Sequence, residues 1–179
     1  MRIKQRDLRT WWRHLWLDRD DTERALGGPA GIEALAQRIA ESERCHGAQI
    51  RVCVEAALPW RYLWRGDAPR ERALAMFGKL RVWDTEANNG VLIYALLADR
   101  ALEIVADRGV QARVSANTWQ GAIAAARQAV HTQAGLQHGL IAAVNVVSPV
   151  LERLYPAVSS AGIDGIGRGN ELPDEPVLS

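Results

Sequence analysis

Four carboxylate or amide side chains lie just before, between and just after two apolar segments in the middle of the chain. They are Asp84, Asn89, Asp99 and Asp107. Carboxylate and amide oxygens are the ligands that hard cations such as Ca²⁺ and Mg²⁺ prefer. The pattern therefore predicts a divalent-cation site, with Ca²⁺ or Mg²⁺ as its cofactor, built from these residues.

A second interpretation of the same residues is structural. Asn89 with Gly90 supplies a turn, Asp99 caps a chain reversal, and the neighbouring Asp and Arg side chains form solvated pairs. Spacing alone leaves both interpretations open. Glu55 lies at the end of another predicted strand, which makes it a candidate to join Asp99 in a second carboxylate set.

The apolar segments that position these side chains are predicted strands. Val91–Ala98 carries no polar group except the Tyr94 hydroxyl, as is typical of a central strand covered on both faces. Ala101–Ala106 alternates apolar and polar positions, which is typical of a strand nearer the sheet edge. Asp99 and Arg100 separate the segments and predict an antiparallel hairpin. Asn89 and Asp107 would then return to one end of the sheet.

The remaining periodicity predicts an α/β fold. Gln49–Glu55 is a predicted first strand, and Pro69 opens a predicted helix before the hairpin. This strand–helix–strand order implies that the first two strands are parallel. Further helices are predicted over Ile32–Arg44, from Asn117 as a capping residue, and over Leu140–Leu154 with a break near Pro149. We expect a three-layer α/β/α sandwich with a small mixed sheet.

Three regions are predicted along the chain. Residues 1–30 form a basic, Trp-rich helical extension, residues 31–156 form the main domain, and residues 157–179 form an extended tail. Asp20–Thr22 followed by Gly27–Pro29 marks a turn in the first region. Ala56–Asp67 is a predicted loop. Gly162–Gly169 superficially matches a phosphate-binding loop, but no predicted strand precedes it and no predicted helix follows, so a flexible tail is favoured.

Trp11, Trp12 and Trp16 recur at helical spacing in the first region, with arginines interleaved. In one interpretation this aromatic stripe packs on the domain or on a second subunit, which would make the protein a homo-oligomer. In the other, Trp and Arg side chains hold the helix at the headgroup region of a membrane as a peripheral contact.

Bulk properties limit the partners and the location. A formal net charge of +1 gives no argument for nucleic acid as a partner. Two cysteines form neither a disulfide framework nor a metal-binding motif, and no apolar signal segment follows the first residues. We therefore expect a cytoplasmic protein. His46, beside Cys45 and just before a glycine, is expected to be exposed.

Three stretches of the sequence, in this order, resemble the TPM domain family. They are Gly47–Val52; Phe77 and Leu80–Trp83 leading into Asn88–Ile93; and Asp99–Arg100, Glu103–Val105 and Asp107–Gly109. The resemblance covers roughly Ile32 to Tyr155, and the tail from Asn170 resembles a short bacterial subgroup. It implies an α/β/α sandwich, divalent-cation binding in loops at the sheet edge, and an acid-phosphatase activity. The family's Gly-x-Gly-Leu-Glu turn is replaced here by Asp107-Arg108-Gly109-Val110.

Two functions follow from this resemblance. The first is a non-catalytic or weakly catalytic module that binds an as yet unknown protein partner, is stabilised by Ca²⁺ or Mg²⁺, and acts near membrane-protein quality control. The second is a metal-dependent phosphomonoesterase. In that enzyme Asp99 and Asp107 would be metal ligands, and Arg100 or Arg108 would bind the phosphate.

Overall fold

A four-stranded mixed sheet forms the middle layer of the protein. The computed structural model describes residues 8–133, 135–157 and 170–179. The strands are β1 (Gln49–Glu55), β2 (Gly90–Leu96), β3 (Ala101–Ala106) and β4 (Val177–Leu178). Their order is β3-β2-β1-β4; β1 is parallel to β2 and β4, and β2 is antiparallel to β3. The expected α/β sandwich with a small mixed sheet is confirmed.

The predicted hairpin is present, with a longer connection than expected. Every residue of β2 is buried, and Ile93 pairs with Ile104 at the centre of the β2–β3 ladder. β2 ends at Leu96 and not at Ala98, so four residues join the strands. The Arg100 N–H donates to the Leu97 carbonyl oxygen, and Arg100 has a positive φ of 49°. This closed turn replaces the expected two-residue reversal.

Helices α4 (Trp60–Arg65) and α5 (Pro69–Lys79) connect β1 to β2 across one face of the sheet. The predicted helix start at Pro69 is confirmed, and the crossover makes β1 and β2 parallel as expected. The prediction of a loop throughout Ala56–Asp67 is wrong, because this segment contains α4. α4 has only six residues, which are too few to show a helical period, so the sequence pattern did not indicate a helix.

Helices α3 (Gly28–Cys45), α7 (Ala116–Gln133) and α8 (Leu136–Leu154) cover the other face. They enclose the larger core, whose apolar side chains come from β1, β2 and all three helices. α3 begins four residues earlier than expected. α7 begins before Asn117, so Asn117 lies inside the helix and is not its cap. α8 continues through Pro149 without ending there.

Two short helices precede the sandwich and one follows β3. They are α1 (Leu8–Trp16), α2 (Arg19–Ala25) and α6 (Arg108–Gln111). The predicted turn is present at Leu26–Gly27, but its Asp20–Thr22 part is wrong. Asp18 and Asp21 form a capping box, in which each side chain accepts the other residue's backbone N–H. Two aspartates three residues apart therefore start a helix here.

Residues 170–179 form a strap along the free edge of β1. Val177 and Leu178 pair with Cys53 and Val54, and the Gln49 side-chain oxygen accepts the N–H groups of residues 171 and 172. Two residues of the expected extended tail, Val177 and Leu178, thus add a fourth strand to the sheet. The glycine-rich segment Gly162–Gly169 lies outside the described residues. No described helix combines the length and the apolar character that crossing a bilayer requires.

Candidate functional site

Asn89 is fully buried at the start of β2. The chain enters through a turn in which Asn88 has a positive φ of 50°. The Asn89 N–H donates to the Thr85 hydroxyl oxygen at 3.0 Å, and its side-chain NH₂ donates to the Gly47 carbonyl oxygen at 2.6 Å. The remaining polar atom, Oδ1, is buried without a hydrogen-bond donor. A buried acceptor left unpaired is unusual and costs free energy.

Asp107 lies at the same end of the sheet, where β3 passes into α6. Its N–H donates to the Gly90 carbonyl oxygen at 2.8 Å, which continues the β2–β3 ladder by one step. Carboxylate oxygen Oδ1 accepts the Arg108 N–H at 2.7 Å and so caps α6. The second oxygen, Oδ2, is buried and has no donor. Asp107 therefore lies opposite Gly90, the residue after Asn89, at the same strand end. Asp107 and Asn89 each have one buried side-chain oxygen without a donor.

The backbone around this Asn89–Asp107 site is closely packed. A Cβ atom added at Gly109 would lie 2.5 Å from the Asn88 carbonyl oxygen and 2.9 Å from the Tyr155 hydroxyl oxygen. Only glycine fits at this position. Carboxylate, amide and carbonyl oxygens are ligands that suit a hard cation and not a soft one. The residues present therefore fit Ca²⁺ or Mg²⁺ by ligand type.

The other two predicted cation ligands lie elsewhere. Asp84 is exposed in the turn after α5, and its carboxylate pairs with Arg81 at 2.6 Å. Asp99 is in the β2–β3 turn at the opposite end of the sheet, where its Oδ1 lies 2.9 Å from His14 Nε2. Throughout residues 8–133, 135–157 and 170–179, no three or more His, Cys, Asp or Glu side chains are grouped so that they could hold a metal ion.

The two candidate phosphate-binding arginines are also separated by the length of the sheet. Arg108 is exposed beside the Asn89–Asp107 site, and two of its guanidinium nitrogens donate to Asn88 Oδ1 at 3.0 and 2.8 Å. Arg100 is exposed in the β2–β3 turn. Only Arg108 therefore lies beside the orphaned oxygens.

A buried ion pair that the sequence did not reveal lies between β1 and α5. Glu55 accepts two hydrogen bonds from Arg72, at 2.7 and 2.5 Å, and a third from the Tyr94 hydroxyl at 2.7 Å. The Arg72 guanidinium also lies over the Tyr62 ring, 5.0 Å from its centre. Hydrogen bonding to Glu55 raises the pKa of Arg72, and burial raises the pKa of Tyr94. Glu55 thus pairs with Arg72 and does not join Asp99.

The cysteines offer no activated nucleophile among the described residues. Cys53 is fully buried in β1, as expected of a core thiol, and burial raises the pKa of this thiol to about 12. A thiolate is the reactive form, so this cysteine is inert at neutral pH. Cys45 is exposed at the end of α3, and its thiol lies 3.5 Å from the Glu41 carbonyl oxygen.

His14 attaches α1 to the opposite end of the sheet. Its Nδ1 accepts the Leu58 N–H at 3.1 Å, so Nε2 carries the proton that it donates to Asp99. Arg13 on the same helix donates to the Ala98 carbonyl oxygen at 3.4 Å. The His14 ring is buried, whereas Trp12 is 58% and Trp16 is 76% exposed.

His46 is buried, so the expectation that it is exposed is wrong. Its Nδ1 lies 3.1 Å from the Ala48 carbonyl oxygen and its Nε2 lies 2.9 Å from the Ser42 hydroxyl, which is hydrogen-bonded to Ser148 on α8 at 2.7 Å. Burial lowers the pKa of this histidine. The neutral ring joins α3, β1 and α8 in the core.

Comparison with known proteins identifies the fold. The model of the TPM domain family matches residues 28–149. Among solved structures, the NMR structure of BA42 protein from the psychrophilic bacterium Bizionia argentinensis matches with a TM-score of 0.67 and 25% sequence identity, over 82% of this chain and 90% of that chain. A search of curated proteins found no match. The matched segment holds β1, β2, β3 and the Asn89–Asp107 site, and this chain belongs to the TPM domain family.

Proposed function

We propose that this TPM-domain protein is an interaction module, non-catalytic or weakly catalytic, that is stabilised by Ca²⁺ or Mg²⁺ at the Asn89–Asp107 site. The observation that carries this proposal is the pair of buried oxygens, Asn89 Oδ1 and Asp107 Oδ2, that have no hydrogen-bond donor. In this proposal a cation held at this strand end takes these oxygens as ligands. Asp107 supplies a full negative charge, and Asn89 supplies a neutral oxygen held in place by the bond from its NH₂ group to Gly47.

The expected affinity is low. Ca²⁺ takes six to eight oxygen ligands and Mg²⁺ takes six. Two side-chain oxygens leave most of the coordination shell to backbone carbonyls and water, so we expect a dissociation constant on the order of 10⁻⁴–10⁻³ M. A bound ion would tie the turn before β2 to the start of α6. It would thereby stiffen the surface that these elements present to a protein partner.

The proposal includes a cellular context. We place the protein in the cytoplasm, supported by its two free cysteines, one exposed and one in the core. We link it to membrane-protein quality control on the strength of its family. Deleting its gene should raise the level of a misfolded membrane-protein reporter, and an unchanged level would remove this link while leaving the cation site to be tested on its own.

Thermal unfolding with added metal tests the cation site. At a free Ca²⁺ or Mg²⁺ concentration ten times the dissociation constant, binding to the native state adds about 1.4 kcal/mol, which raises the Tm of a chain of this size by roughly 3–5 °C. Asp107→Asn keeps the shape of the side chain and should abolish the shift. Asp84→Asn, outside the site, should keep it. No shift in the wild type at about 10 mM metal, ten times the weakest dissociation constant expected, or an undiminished shift in Asp107→Asn, would remove the cation from the proposal.

A metal-dependent acid phosphatase is the second candidate. It is favoured by one arrangement: Asp107 and Arg108 follow each other at one strand end, where the Arg108 guanidinium is bound to Asn88 Oδ1. In this candidate function Asp107 would hold the cation and Arg108 would bind the phosphate group. Hydrolysis of p-nitrophenyl phosphate with Mg²⁺ tests it. Loss of turnover in Asp107→Ala supports the phosphatase. Equal turnover in the wild type, Asp107→Ala and Asp99→Ala discards it.

A further inference from the structure

Helix α1 has its aromatic face turned away from the protein. Successive residues are about 100° apart around a helix, so His14 lies on the side opposite Trp12 and Trp16. His14 is held inside by Leu58 and Asp99, whereas Trp12, Leu15 and Trp16 are all more than half exposed. The expectation that the described part of this stripe packs on the domain is wrong. The side chain of Trp11 lies outside the described residues.

Helix α4 carries a second pair of exposed tryptophans. Trp60 and Trp64 are 56% and 71% exposed, and their rings meet edge to face with centres 5.8 Å apart. The bond from the Leu58 N–H to His14 joins α1 to the residue two positions before α4. We call the exposed side chains of the two helices the tryptophan surface. Its members are Trp12, Leu15, Trp16, Trp60 and Trp64.

The charges of the tryptophan surface are positive. Neither α1 nor α4 contains an acidic residue, and the arginines of these helices whose side chains the structure describes are Arg13, Arg61 and Arg65. Arg61 lies over the Tyr62 ring and has no carboxylate partner among the described residues, whereas Arg65 pairs with Asp67 at 3.3 Å. Of the acidic residues that follow α1, Asp18 and Asp21 form the capping box of α2, and Asp21 also pairs with Arg24.

We infer that the tryptophan surface is a docking site for the headgroup region of an anionic phospholipid membrane. Tryptophan rings with a polar N–H favour the boundary between water and hydrocarbon, and arginines beside them attract lipid phosphates. A second copy of this chain fits less well, because a twofold contact would place arginines against arginines without carboxylates between them. This inference goes beyond the proposed function and depends on neither the cation nor catalysis.

Vesicle co-sedimentation tests the inference with a matched control. The probe is vesicles of phosphatidylcholine and phosphatidylglycerol at roughly three to one, with pure phosphatidylcholine for comparison. Trp16→Ser and Trp64→Ser should each lower the partition coefficient by at least about tenfold. Arg61→Gln should lower it about fivefold. Trp83→Ser is the control, because Trp83 is 50% exposed but precedes β2 at the opposite end of the sheet; this variant should bind like the wild type.

Each outcome decides the matter. Binding to the anionic vesicles that is lost in Trp16→Ser and Trp64→Ser and kept in Trp83→Ser supports the docking site. No binding of the wild type to anionic vesicles overturns it, as does an equal loss in all three tryptophan variants. A dimer of the wild type in light scattering that becomes a monomer in Trp16→Ser would assign the tryptophan surface to contact with a second copy. That result also overturns the inference. The changed side chains are exposed, so each variant should keep the wild-type Tm.

Discussion

Replacing Arg72 with methionine should strongly destabilise the protein. Arg72 is 7% and Glu55 is 3% exposed, and the guanidinium makes two of the hydrogen bonds that satisfy the buried carboxylate. Methionine matches the length of the arginine stem but leaves the Glu55 charge without its counter-ion. Removing one partner of a buried pair costs about 3–5 kcal/mol. For a chain of this size we expect the Tm to fall by roughly 10 °C.

Arg70→Met is the matched control on the same helix. Arg70 is exposed; it donates to the Ile104 carbonyl oxygen and lies 3.6 Å from the Glu103 carboxylate. A surface pair of this kind contributes at most about 1 kcal/mol. Urea unfolding followed by tryptophan fluorescence gives both free energies. Equal losses in the two variants, or a loss below about 1 kcal/mol in Arg72→Met, would refute the claim that the buried pair stabilises the fold.

Three further predictions concern pH and glycine. Burial lowers the pKa of His46 from 6.5. The contribution of His46 to stability is therefore present above pH 6.5 and is lost as the pH falls through the lower pKa of the folded state. His46→Gln should reduce this fall in Tm at acid pH. Burial, with a smaller effect of the Asp174 carboxylate, raises the pKa of Glu43 from 4.5 to about 8. The contribution of Glu43 to stability is therefore full below pH 4.5 and is lost as the pH rises through about 8. Glu43→Gln should remove this loss of stability at alkaline pH. Gly139→Ala should destabilise the protein, because the added Cβ would lie 2.5 Å from Val130 Cγ2. Gly121 has open space around it, so Gly121→Ala should add about 0.5–1 kcal/mol to the free energy of unfolding in the same urea experiment. The reverse order of the two glycine variants would contradict the packing of α7 against α8.

The central sheet was predictable because its patterns are local. The unbroken apolar run of β2 and the alternation of β3 indicated a buried strand and its neighbour, and their short separation predicted the hairpin. This placed Asn89 and Asp107 at one strand end and Asp99 at the other, as the structure has them. Orphaned oxygens, in contrast, are defined by what does not donate to them, and no sequence pattern encodes that.

The buried polar pairs could not be predicted because they join distant parts of the chain. Glu55 and Arg72 are 17 residues apart and Tyr94 is 39 residues from Glu55, so only the fold brings them together. A faint signal exists, since Arg72 falls on the inward face of α5 beside Ala73 and Met76. His46 has no such signal: a histidine next to a glycine turn is usually exposed, and its burial depends on Ser42 and on α8.

The strap along β1 has a consequence for how the molecule assembles. The Arg51 guanidinium donates a hydrogen bond of 2.7 Å to the carbonyl oxygen of Glu175, a residue 124 positions downstream. Contacts this distant in sequence are slow to form, because the entropy cost of closing a long loop is incurred before the contacts contribute any stabilisation. Until they form, the backbone groups of β1 are an open template on which another polypeptide can pair. During synthesis we therefore expect an aggregation-prone intermediate in which this edge of β1 is unpaired. The edge can be covered only after residues 170–179 have left the ribosome.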